Sequence, residues 1–69
     1  MPQYKFIRLA TELYRQRKTL TETAQALSMS RTTLNNRLHG KEPWTLTEMW
    51  TLMKMLNIQP EDMALYFHE

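Results

Sequence analysis

Six of the seven side chains from Arg31 to Arg37 are polar: Arg31, Thr32, Thr33, Asn35, Asn36 and Arg37, interrupted only by Leu34. A guanidinium presents paired donors that match the two acceptors on the guanine edge. An Asn amide pairs a donor with an acceptor and so matches the adenine edge, and the Thr methyl can meet the thymine methyl. A row of short polar groups on a helix is also what a plain solvated face looks like, so residue types alone leave both readings open. Catalytic chemistry is poorly supplied. The chain has no cysteine, which excludes disulfides and thiolate zinc sites. His39 and His68 lie 29 positions apart without a Cys nearby, so no metal centre is expected. No Ser, Cys or Asp is placed to make His39 a catalytic base, and no Gly-rich phosphate loop exists in a chain with one Gly. An enzyme is not expected, nor is a cofactor, a metal or a small-molecule ligand.

Charge separates along the chain. Residues 1–41 carry eight Lys or Arg against two acids, net +6, and residues 42–69 carry one against five, net −4, which together make the +2 of the whole. Such a molecule has a direction, and its basic half would face a polyanion. With 69 residues there is room for a single domain, 1–69, whose core is small because so short a chain buries only about 60% of its unfolded surface. No apolar run approaches the roughly 20 residues of a membrane span. The opening MPQYKF lacks the basic-then-apolar order of a signal peptide, so a soluble intracellular protein is expected.

The elements that must position these groups read as helices throughout, at a period of 3.6 and without strand alternation. A first helix is expected from about Gln3 to Lys18, with Phe6, Ala10, Leu13 and Tyr14 (or Arg17) on one face. Its closing cluster Arg15, Arg17 and Lys18 suits the negative end of the helix dipole, with phosphate contact as the lesser reading. Thr19 and Glu22 form a capping box for a short second helix that turns Ala24 and Leu27 inward. Ser28-Met29 makes a tight turn, and Ser30 caps a third helix over 31–39 that buries Leu34 and Leu38 and ends at Gly40. Thr45 and Glu48 form a second capping box, Trp44 can staple onto Met49, and the fourth helix buries Met49, Leu52, Met53 and Leu56. Pro60 suits the first position of a fifth helix, with Ile58 and Met63 as another staple and Leu65, Tyr66 and Phe67 as closing apolar bulk.

The segment 19–41, TLTETAQALSMSRTTLNNRLHGK, resembles the lambda-repressor/Cro-like helix-turn-helix family. The likeness lies in A-x-x-L-S-x-S-x-x-x-L from Ala24 to Leu34 and in Gly40-Lys41. It runs on through Pro43, Trp44 and the L-N-I of residues 56–58, close to the small Cro-like regulators of phages and integrated elements. The resemblance implies an all-α, five-helix domain that binds double-stranded DNA at inverted-repeat operators as a homodimer and represses by blocking promoters. The third helix would enter the major groove with Arg31, Thr32, Asn35 and Asn36 reading bases, while Thr19, Thr33, Arg37, His39 and Lys41 hold phosphates. Two positions depart from the family pattern. Ser28 stands where Gly is usual, and a left-handed Ser would cost up to about 1 kcal/mol relative to Gly. Leu20 stands where Gln usually makes a phosphate contact. A second reading keeps the scaffold but makes it a protein-binding module, an antirepressor or a repressor partner. Its working surface would then be the acidic C-terminal half with the terminal aromatic rings. On either reading Trp50, Tyr66 and Phe67 serve as a lid on the core or as dimer contacts, since exposed aromatic rings favour interfaces.

Overall fold

Hydroxyl side chains set where three of the helices begin. In the computed structural model, which describes residues 4–67, Thr19 Oγ1 accepts from the Glu22 N–H at 3.1 Å while Glu22 Oε1 accepts from the Thr19 N–H at 2.6 Å. Thr45 and Glu48 make the same reciprocal pair at 3.2 and 2.9 Å, and Ser30 Oγ accepts from the Thr33 N–H at 3.1 Å. Each pair satisfies amide groups that a helix start leaves without partners. The resulting helices are α1 (Ile7–Arg15), α2 (Leu20–Ala26), α3 (Arg31–Leu38), α4 (Leu46–Leu56) and, after a 3-10 turn over Pro60–Asp62, α5 (Met63–Phe67). There is no strand among the described residues.

Four helices end in one way. After α1, α2, α3 and α4 the chain enters the left-handed region at Arg17 (φ 58°), Ser28 (φ 56°), Gly40 (φ 81°) and Asn57 (φ 58°). In each case the next residue's N–H reaches back to a carbonyl five positions earlier: Lys18 to Leu13, Met29 to Ala24, Lys41 to Asn36 and Ile58 to Met53, at 2.8–3.0 Å. This is the paired-bond C-terminal cap that usually takes Gly. It makes α1 shorter than the apolar pattern predicts, because Arg17 already lies outside the helix. It also confirms the left-handed turn at Ser28.

The core joins Phe6, Leu9 and Leu13 of the first helix region to Ala24, Leu34, Leu38, Leu52 and Leu56. The inward stripe of α1 is therefore 6, 9 and 13. Ala10 is only half-buried and Tyr14 is 83% exposed, a correction to the expected face that one step of helical phase explains. Thr23 is fully buried and keeps its hydroxyl satisfied by donating to the Thr19 carbonyl at 2.7 Å. Leu27 and Met49 pack at half burial, and Met53 is buried as expected. Trp44 stands edge-on to Phe6 (6.0 Å between centroids, 80°) and Phe67 (5.7 Å, 82°), so these rings are its structural neighbours. Tyr66 and Phe67 both pack against the core, whereas Leu65 faces outward at 53% exposure. α1 lies against α3 and α5, and the Phe6 N–H donates to the Leu38 carbonyl at 3.1 Å, joining the start of α1 to the end of α3. No helix among the described residues is long and apolar enough to cross a membrane.

Candidate nucleic-acid interface

α2 packs on α3, and the Ser28 turn sets the angle at which the second helix leaves the first. Leu34 and Leu38, four residues apart, are both wholly buried, so α3 is held through that one stripe. The remaining positions lie outside the apolar core. Arg31 and Thr32 are exposed, while Thr33, Asn35 and Asn36 are half-buried. Arg31, Thr32 and Asn35 line one open hollow of about 440 Å³ together with Leu20 from the start of α2. Leu20, read from the sequence only as a lost phosphate contact, thus lines the same hollow as three of the four expected base readers. Asn36 does not line this hollow, and its carbonyl accepts the capping N–H of Lys41 at 2.9 Å.

The expected phosphate contacts differ in what already engages them. Lys41, the residue after the left-handed Gly40, is exposed, and Thr19 is exposed at the α2 cap with its hydroxyl oxygen accepting from Glu22. Thr33 shares its hydroxyl with Ser30, whose Oγ donates to Thr33 Oγ1 at 3.0 Å. His39 stacks on Tyr4 with ring centroids 4.7 Å apart and a 31° tilt. Arg37 is committed inside the protein. Its Nη1 donates to the Pro43 carbonyl at 2.6 Å, and its Nε lies 3.1 Å from Glu48 Oε1 as an ion pair without hydrogen-bond alignment. Because that Glu48 oxygen also caps α4, Arg37 locks the end of α3 to the start of α4. Nothing in its sequence neighbourhood distinguishes it from a surface cation, since Glu48 lies eleven residues on.

Sequence reasoning also passed over Gln16. Its Nε2 donates to Glu12 Oε2 at 2.7 Å and to the Leu56 carbonyl at 2.8 Å, tying α1 to the last turn of α4. Glu12 further accepts from Arg15 Nε and Nη2, both at 3.2 Å. The hydrogen bond from Arg15, then that from Gln16, holds the Glu12 carboxyl below the usual glutamate range. Of the aromatic groups, Trp50 is 45% exposed and shares a face of α4 with Leu46, four residues earlier and 59% exposed. His68 lies outside the described residues, among which no three His, Cys, Asp or Glu groups gather as metal ligands do.

No curated protein and no solved structure matches the chain. One family model does, described as "Protein of unknown function (DUF739)", and it matches residues 2–69. Matched over nearly its whole length, the chain belongs to the DUF739 family.

Proposed function

We propose that this protein is a sequence-specific regulator of transcription, a Cro-like repressor that uses α2, the Ser28 turn and α3 as a helix-turn-helix. α3 enters the major groove of double-stranded DNA with Arg31, Thr32 and Asn35 foremost and Asn36 beside them. Thr19 and Lys41 hold the flanking phosphates, and two copies occupy an inverted-repeat operator and block the promoter. The observation that carries this reading is the division of labour on α3. Two leucines anchor the helix, and the donors and acceptors suited to base edges sit together around an open hollow next to α2.

The test is selection of bound duplexes from a random pool at near-physiological salt. A two-fold symmetric site supports both the DNA reading and the homodimer. An asymmetric half-site keeps DNA recognition and removes the homodimer. No enrichment overturns the proposal and turns attention to a protein partner for the same scaffold.

A further inference from the structure

Leu20 is the first residue of α2, held in place by the Thr19–Glu22 capping box. It packs against the core without being closed off by it, at half burial. Leu20 also lines the open hollow of about 440 Å³ whose other three residues, Arg31, Thr32 and Asn35, all carry polar side chains. Arg31 and Thr32 sit at a capped start of their own, since Ser30 Oγ accepts from the Thr33 N–H at 3.1 Å. An isobutyl group on the wall of an otherwise polar hollow satisfies no donor or acceptor and is poorly placed against water. What favours it there is an apolar group brought by whatever fills the hollow.

The walls define that group. Arg31, Thr32 and Asn35 can meet donors and acceptors on any of the four bases in the major groove, but thymine alone presents an apolar group there, its methyl. Resting on the DNA reading above, we infer that Leu20 is a specificity-determining residue that reads thymine. Its isobutyl group packs on the methyl at one position of the half-site, while Arg31 and Asn35 bond the polar edges beside it. The contact comes from α2, outside the helix that carries the other base readers, and the Ser28 turn between the two helices sets its distance from Arg31. Burial of one methyl group corresponds to about fourfold in affinity, so Leu20 selects thymine at its position without dominating the binding.

The test uses the operator recovered by selection, with each thymine replaced in turn by deoxyuridine, which removes the methyl and keeps every hydrogen-bonding group. The parent binds about fourfold more weakly when one particular thymine of a half-site is replaced. Leu20→Ala binds the thymine and deoxyuridine duplexes alike at that position, and Leu20→Gln, whose stem still covers the core, gives the same loss of discrimination. Thr32→Ser, which removes the other methyl in the hollow, keeps the parental ratio. The readout compares two duplexes on one protein, so any loss of folded material in a variant cancels. Parental discrimination in whichever Leu20 variants bind the operator overturns the inference, and its disappearance in Thr32→Ser alone assigns the methyl contact to Thr32. Equal parental affinity for every substituted duplex overturns it as well, as does a selected half-site without thymine. In all of these outcomes the DNA reading stands. A parent that enriches no duplex overturns the DNA reading itself, and the inference with it.

Discussion

Ser28 and Asn35 stand for two roles of single residues, shaping the surface and, in the proposed function, reading with it. Ser28 sits at φ 56° between the two helices, where an L side chain crowds its own carbonyl. Ser28→Gly is expected to raise stability by up to about 1 kcal/mol, a rise of roughly 4–8 °C in melting temperature for a domain this size, with the operator preference unchanged. A fall in melting temperature would mean that the Ser hydroxyl contributes more than the strain removes. Asn35 belongs to the hollow with Arg31 and Thr32 and has no part in the core. Asn35→Ala should cost about 1–3 kcal/mol at one base pair and relax preference there, whereas Lys41→Ala should weaken all sequences alike and flatten the salt dependence. Equal losses on every sequence from both variants would remove Asn35 from the readers. Gly40 was legible as a left-handed position because a lone Gly follows the apolar period, and Ser28 only through the family's usual Gly at that turn. Arg17 and Asn57 were not, since the preceding sequence runs on in a pattern equally compatible with more helix.

At the scale of elements, capping was more legible than pairing. Both capping boxes and the Ser30 cap lie within three residues of the groups they bond, so the sequence carries them locally. The ties between elements depend on residues far apart in the chain and left no such trace. Arg37 reads as a phosphate ligand in the sequence and proves to be the link from α3 to Pro43 and Glu48. Arg37→Ala should lower stability by about 1–3 kcal/mol in urea unfolding, because Glu48 and the Pro43 carbonyl lose a partly buried partner. Its salt dependence of DNA binding should match the parent, and a shallower slope would restore Arg37 to the phosphate contacts. Glu12 makes a second tie, through Gln16 to the end of α4. With its folded pKa lowered, the ionised carboxylate stabilises the fold above the ordinary glutamate range, and that contribution fades as pH falls through the lowered value. Glu12→Gln should therefore be less stable than the parent at neutral pH and differ less from it in acid, as paired melting curves across that range would record.

For the whole molecule the proposed function raises the question of how two copies would share one operator. The aromatic tail divides in the structure: Tyr66 and Phe67 close over the core, which leaves Trp50 with Leu46 as the apolar face on α4. The sequence left that division open because a terminal aromatic pair serves a lid or an interface equally well. Trp50 and Leu46 together expose on the order of 200 Å² of side chain, far below the roughly 800 Å² per partner of a standard interface. A second copy bound through this face alone would fall away in free solution. In the proposed complex DNA would change the balance by holding both copies. Half-sites one helical turn apart place two centres about 34 Å from each other, and the protein spans 28 × 23 × 22 Å, so neighbours meet through side chains only. Sedimentation of the free protein should accordingly give a monomer, while titration of the full operator gives cooperative binding of two copies. Trp50→Ala should weaken the full operator several-fold and leave an isolated half-site unaffected. A stable dimer without DNA would require an interface larger than the α4 face offers, and equal loss on half-site and full site would place Trp50 against DNA rather than against a second copy.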